Sequence, residues 1–352
     1  MDRFELVRTV LLVLGGAFVG AALVFFAHGF WMVRYERRNA VRVERARRAL
    51  LDLAAAGRLN KADAVALRTL PRRLQVRLFV ELASYLAGSQ RRYLAAVARD
   101  VGLVDAAERM CASRWWWVRL RGVRLLTVIG GGRETVPAML ADRHPAVRAE
   151  AVEWAGEHAE DGEIDRLVAL LADPGRVGRY ELLDSLLRLG PRVVPPLAAY
   201  LETHGGEEAE PALEVAAGLP DNRFAAAAVR LCADPDDTVR ARAASLAGAL
   251  GGDEAVAALE RLLDDPAPGV RAAAAASLGR LGHWPAATRV AALLRDPAWV
   301  VRSQSALALR RLGSPGLLLL RRGLGDGDRF AADIARQVLD MPDTTAERDQ
   351  WR

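Results

Sequence analysis

Lysine is almost absent from this chain: Lys61 stands alone among 49 basic residues, and the rest are arginine. That bias suits a GC-rich bacterial genome and carries no function of its own. The 2 cysteines, Cys111 and Cys232, lie far apart on predicted helices, so no disulfide framework exists and both read as reduced core residues. The 5 histidines, at 28, 144, 158, 204 and 283, show no metal-ligand spacing with cysteine or carboxylate. No glycine-rich phosphate loop precedes a helix; Gly130-Gly131-Gly132 follows one and reads as its stop. Carboxylates are plentiful but fall on solvated helix faces. The cluster Glu207, Glu208 and Glu210 reads as a surface charge run, with a binding spot as the alternative. These absences leave no candidate catalytic, cofactor-binding or metal-ligating residue, and the expectation is a protein that is not an enzyme.

What the chain does have is a repeat of about thirty-one residues. Asp234-Pro235, Val239-Arg240 and Gly248 return as Asp265-Pro266, Val270-Arg271 and Gly279, then as Asp296-Pro297, Val301-Arg302 and Gly313. Looser copies are His144-Pro145 with Val147-Arg148, and Asp173-Pro174 with Val177, where Gly178 stands in place of the arginine. A further copy, near residues 205–218, lacks both the turn and the Val-Arg pair. A fixed period in this range signals a solenoid rather than a globular enzyme core. In each unit an apolar-periodic segment is broken by Asp-Pro, because the residue before proline is pushed out of helical geometry. A second apolar-periodic run follows and ends at a glycine that suits a helix C-cap. One helix pair cannot bury its apolar stripe alone; stacking does so.

With these turns and Val-Arg pairs the chain resembles the HEAT-repeat superfamily, in its bacterial PBS-lyase HEAT-like form, over roughly Val104 to Leu339. The resemblance implies an all-α fold, a right-handed α-solenoid of helix pairs. It also implies that Asp234, Arg240, Asp265, Arg271, Asp296 and Arg302 bond between neighbouring units as a structural ladder. Members of this superfamily include scaffolds, adaptors and a few enzymes, so the fold alone does not choose a function.

The N-terminus suggests where such a surface sits. Residues 9–33 carry no formal charge, and as a helix they reach about 37 Å, enough for a ~30 Å hydrocarbon core. This run is expected to be a single transmembrane helix, an uncleaved anchor rather than a signal peptide, with Trp31 and Tyr35 at the interface. His28 lies inside it near the cytoplasmic end. Arginines 34, 37, 38, 42, 45, 47 and 48 follow, against Glu36 and Glu44, so the positive-inside rule leaves the N-terminus outside and the repeats in the cytoplasm of a bacterial inner membrane. Arg34, Arg37, Arg38, Arg42 and Arg45 are the candidate anionic-lipid contacts. Gly16 and Gly20 form a GxxxG that would let anchor helices pack against one another, which offers a route to a homo-oligomer.

The expected organisation is an anchor at 9–33, a basic juxtamembrane helix at 34–57, a helical N-terminal cap at 58–103, the solenoid at 104–340 and a flexible tail at 341–352. Residues 49–133 hold 15 basic and 6 acidic side chains, whereas residues 134–352 hold 25 and 34. The high pI is therefore not a nucleic-acid footprint.

One cluster rises above the background. Trp115-Trp116-Trp117 precedes Val118-Arg119, and Trp299 stands at the place equivalent to Trp116. Three successive side chains cannot share one face of a helix, so at least one is expected to be exposed, with Trp116 the candidate for core packing. Core, protein-partner and membrane contact all remain open readings for this turn. Arg119, Arg121 and Arg124 join it as candidate protein-binding residues.

The leading functional expectation is a non-catalytic, membrane-tethered cytoplasmic scaffold for a protein partner, with an inner-membrane enzyme or complex as the candidate partner. One alternative is a lyase-like enzyme or enzyme helper, after the bilin lyases. The other is a nucleic-acid binder, which the acidic distal part disfavours.

Overall fold

The computed structural model describes residues 3–56, 65, 67–83, 85, 88–173 and 178–342. Of the repeat copies, Pro174 and Val177 lie outside the described residues, as do residues 343–352 of the tail. The described structure is helical, without strands among the described residues. The helices are α1 Arg3–Ala56, α2 Arg72–Ala83, α3 Gly88–Asp100, α4 Leu103–Cys111, α5 Trp116–Ile129, α6 Val136–Met139, α7 Pro145–His158, α8 Asp161–Ala169, α9 Arg179–Leu189 and α10 Val194–Thr203. They continue as α11 Gly206–Gly218, α12 Ala225–Leu231, α13 Asp237–Leu250, α14 Asp253–Leu262, α15 Pro268–Arg280, α16 Ala287–Ala292, α17 Trp299–Arg311, α18 Ser314–Gly323 and α19 Arg329–Leu339. The chain forms two compact units, Met1–Ser113 with Arg124–Gly132, and Arg114–Val123 with Arg133–Arg352.

In the first unit one helix, α1, holds both the uncharged run and the arginine-rich stretch after it. Among the described residues no single helix is long and apolar enough to cross a membrane. Phe18–Arg34 and Asn39–Asp52, bent by 56° at the break between them, pass that test only together. That break falls after Arg34, outside the anchor expected over residues 9–33, where the side chains of residues 9–15, 17 and 28 lie outside the description. The later part of α1 is a packed element. Ala46, Ala49 and Leu50 are buried there, and α1 lies against α2 and α3, whose Leu78, Phe79, Leu94 and Ala98 are buried. Arg47 clamps it by a bidentate pair to Glu81 at 2.7 and 2.9 Å.

The second unit is a stack of helix pairs. Val147, Val239, Val270 and Val301 are fully buried, each on the second helix of its pair. Local chemistry starts these helices: the Asp236 carboxylate accepts the Thr238 and Val239 amides at the head of α13, and Pro145 and Pro268 occupy first-turn positions that need no donor. Gly248 and Gly279 are not stops, contrary to the sequence reading, but lie inside α13 and α15. A Cβ at Gly248 would sit 2.9 Å from Ser277 Cα, and one at Gly279 would sit 2.6 Å from Ala308 Cα. Gly156 meets Ser185 Cα at 3.0 Å in the same way. Consecutive second helices thus touch backbone to backbone along a glycine seam. Ser277 Oγ closes its own contact by donating to Ala244 O at 2.9 Å.

Candidate functional site

The Asp-Pro turns and second-helix arginines form repeated rungs. Arg240 Nη1 donates to the carbonyls of Asp234 and Pro235, both at 2.9 Å, while its Nε and Nη2 grip Asp265 at 2.8 and 3.0 Å. Arg271 does the same one unit on, to the carbonyls of Asp265 and Pro266 at 2.7 and 2.9 Å and to Asp296 at 2.8 and 2.9 Å. Each aspartate also accepts the amide two residues ahead, Ala267 on Asp265 and Ala298 on Asp296. Burial pushes these carboxyls up, but the arginine fork and the amide outweigh it and hold Asp265 and Asp296 below the ordinary carboxylate range.

The ladder departs from the sequence pattern in four places. Arg119, read from sequence as a partner contact, is turned into a rung: it grips Asp142 with two bonds of 2.7 Å, and its side chain is 14% exposed. Asp142, which the sequence reading missed because an Arg-His pair separates it from Pro145, also accepts the His144 amide at 2.8 Å. Arg179, beside the Gly178 taken as the lost arginine, precedes Ser185 by six residues as Arg271 precedes Ser277, and pairs with Glu210 and Glu214 at 2.7 and 2.9 Å. Glu210 also meets Arg242 at 2.8 Å, so this part of the acidic cluster is neutralised internally, while Glu207 and Glu208 remain exposed. Among the described residues no arginine grips Asp234, which accepts the Gly206 and Asp236 amides instead, at 3.0 and 2.9 Å.

Arg302 is the fourth. Its Nη1 donates to the Asp296 and Pro297 carbonyls at 2.8 and 2.9 Å, and its guanidinium lies 5.0 Å from the centre of the Phe330 ring. No carboxylate among the described residues pairs with it. Asp326, the aspartate of the following turn, is instead taken by Arg295, with Nη2 at 2.8 Å.

Beside the first rung stands the tryptophan turn. Trp115, Trp116 and Trp117 are all exposed, at 46%, 38% and 50%, which corrects the expectation that Trp116 packs in the core. The reason is angular. Trp116 lies two residues before Val118, about 200° round the helix, as Trp299 lies two before the buried Val301 and is 65% exposed. The rings hold one another instead: Trp115 and Trp117 stack at 4.6 Å, Trp116 meets Trp117 edge-on at 6.1 Å, and Trp116 stacks flat on His144 at 3.8 Å. His144 is fixed by its own cap bond, Nδ1 accepting the Ala146 amide at 3.3 Å. The Arg114 guanidinium covers Trp115 at 4.6 Å. Trp116→Ala should therefore lower stability by about 0.5–1.5 kcal/mol, the scale of an aromatic pair rather than of a buried indole, as a thermal melt would show.

Arg121 is exposed in the same unit, whereas Arg124 belongs to the first unit. Arg34, Arg42 and Arg45 are exposed along α1; the side chains of Arg37, Arg38 and His28 lie outside the described residues. Gly16 and Gly20 are exposed, with open space where a Cβ would stand.

The family of HEAT repeats matches residues 225–310 and 263–339. This segment is similar to HEAT repeats. The matched segment carries the two regular rungs and Arg302, whose fork meets no carboxylate among the described residues. Among solved structures, the chain is similar to a mutant of Kap121p, with a TM-score of 0.53 at 13% identity over 84% of this chain and 42% of that one. It is similar also to an engineered protein, at 19% identity over 87% and 95% of the two chains and a TM-score of 0.40. A third is the E. coli protein YibA, at 16% identity over 67% and 90% and a TM-score of 0.44. At these identities the likeness to Kap121p shows an α-solenoid and nothing about partners. No curated protein matches the sequence.

Proposed function

We propose that the protein is a non-catalytic scaffold, tethered to a bacterial inner membrane through α1, whose HEAT-repeat surface holds a protein partner at the tryptophan turn. The observation that carries the tether is the apolar exposure of α1. Phe18, Leu23, Val24, Phe25, Phe26 and Phe30 are exposed by 76%, 64%, 70%, 77%, 74% and 72%. Residues 23–26 alone point right round the helix, so no single packed face could cover them. Apolar area of this kind costs about 25 cal/mol per Å² in water, and lipid removes that cost on every side.

The exposed Arg34, Arg42 and Arg45, with Arg37 and Arg38, suit the anionic headgroups of the cytoplasmic leaflet, which leaves the N-terminus outside and the repeats inside the cell. Gly16 and Gly20 would let two anchors approach closely. The exposed indoles offer the large, rigid, amphipathic area typical of protein hot spots. The unusual carboxylates are engaged in rungs, which supports a structural rather than catalytic use of them.

Two measurements test this reading. A reporter active only in the periplasm, fused to the C-terminus, should stay silent while alkaline carbonate fails to strip the protein from membranes; a periplasmic signal, or full release, would sink the tether as drawn. In parallel, at least one of Trp115→Ala, Trp116→Ala and Trp117→Ala should melt near the parent temperature yet lose proteins that co-purify from solubilised membranes. Three variants that all retain those proteins would remove the tryptophan turn from the binding surface.

A further inference from the structure

We propose that Arg302 is a preformed receptor for a carboxylate on the partner: it takes an Asp or Glu side chain, flanked by apolar residues, that completes the last rung from outside the chain. This deepens the scaffold reading and rests on it, but concerns a place on the repeats distinct from the tryptophan turn.

The argument is one of repetition. In the two regular rungs the arginine is aimed by its Nη1, which is tied to the two carbonyls of its own Asp-Pro turn, and the remaining edge of the fork then meets the next aspartate 25 residues on. Arg302 is tied to its turn in the same way, at matching distances. Its fork is therefore oriented before any acid arrives. Twenty-five residues on from Arg302 lies Gly327, which has no side chain to offer.

The interval between turn aspartates explains the mismatch. It is 31 residues from Asp234 to Asp265 and from Asp265 to Asp296, but 30 from Asp296 to Asp326. Asp326 keeps its turn duty by accepting the Asp328 amide at 2.9 Å, and its charge is met by Arg295 through Nε at 2.9 Å and Nη2 at 2.8 Å. The last unit has thus kept the aspartate and redirected it, and among the described residues no acid meets the Nε–Nη2 edge of Arg302.

The surroundings specify the visitor. Phe330 backs the guanidinium and is 63% exposed; Trp299 and Val300, on the same turn, are 65% and 40% exposed. A planar fork stacked on an aromatic ring loses little side-chain freedom when it binds, and its two parallel donors match a carboxylate better than a point charge does. The exposed indole and phenyl rings reward apolar residues beside that carboxylate. The Asp296 carboxylate is near enough to feel the Arg302 charge, and it repels a multiply charged phosphate more than a single carboxylate. A protein segment is favoured over nucleic acid for that reason.

The test uses the full-length protein in detergent. A displayed peptide library with a fixed central Asp-Pro and random flanks is panned on the parent and counter-panned on Arg302→Gln. The expected winners carry aromatic or aliphatic residues beside the aspartate. Their affinity should fall by about tenfold or more on Arg302→Gln and on Arg302→Lys, which keeps the charge but not the fork. The same loss should follow Asp→Asn in the peptide, and Gly269→Ala should leave affinity unchanged. No enrichment, winners that bind Arg302→Gln equally well, or displacement of the winners by a single-stranded oligonucleotide but not by excess free aspartate peptide would each overturn the proposal. So would a melt of Arg302→Gln as depressed as that of Arg271→Gln, since that result would mean Asp326 closes the rung internally. Loss of co-purifying proteins in the tryptophan variants speaks only to the scaffold reading, so the two ideas fail separately.

Discussion

Gly279→Leu should abolish the cooperative melt of the repeats or shift it to far lower temperature. A Cβ at this position already lies 2.6 Å from Ala308 Cα, 2.7 Å from its Cβ and 3.1 Å from its carbonyl oxygen. These are backbone or near-backbone atoms of α17, so no rotamer change relieves the clash, and the two helices must part. Overpacking of this kind costs about 1–3 kcal/mol for modest insertions and more for a branched side chain, against a total stability of about 5–15 kcal/mol. Alanine at the same place is the sharper comparison. It gains about 1 kcal/mol of helix propensity over glycine, so a net loss proves that the seam outweighs propensity. Gly269→Ala, in the same helix with nothing within 4 Å, should melt at or above the parent. If Gly279→Ala melts with Gly269→Ala, the seam is not a determinant of stability.

Arg271→Ala should cost about 3–5 kcal/mol, because it strands the Asp296 carboxylate, whose side chain is only 5% exposed. The acid dependence of this loss has a definite sign. In the parent, Asp296 titrates below its ordinary value, so its contribution is present above the unfolded carboxyl pKa near 4 and is lost as pH falls through the lower folded value. With Arg271 removed, burial dominates and raises the folded pKa. The variant is then penalised as pH rises through that raised value, and the deficit should narrow as pH is brought down toward about 4. Denaturant midpoints of parent and variant measured from pH 7 to pH 4 check this; a gap that stays constant or widens on acidification would remove Asp296 as the stranded group.

The repeat was legible because its period is carried by residues with local duties: aspartate and proline that break one helix, and a valine that enters the core of the next. The placement of the tryptophans was legible only in part. Their number implied exposure, but the register rule that turns Trp116 outward with Trp299 needed the buried valine as a reference. Gly248 and Gly279 misled for a physical reason, whereas Gly313 does follow the end of its helix. A glycine near the end of an apolar run serves equally as a stop or as a contact, and the atom that decides, Ala308 Cα or Ser277 Cα, lies a unit away in sequence. The slip of one residue at Arg179 and the redirected Asp326 are of the same kind, since spacing along the chain does not say which of two arginines reaches a carboxylate.

The irregular unit at α11 has a mechanical consequence. Its neighbours are joined through paired arginine forks and closely packed helices, α13 to α15 and α15 to α17, whereas α9 and α11 pack more thinly. At α11 a glutamate, Glu210, pairs with Arg179, and the next link, to Asp234, is a backbone amide rather than a fork. In a one-dimensional stack each unit feels only its neighbours, so strain applied at the two ends is not shared evenly but collects at the softest coupling. If one end is fixed at a membrane and the other grips a partner, the pull between them is absorbed at this joint. The regular units beyond it, Arg302 among them, then keep their spacing under that pull.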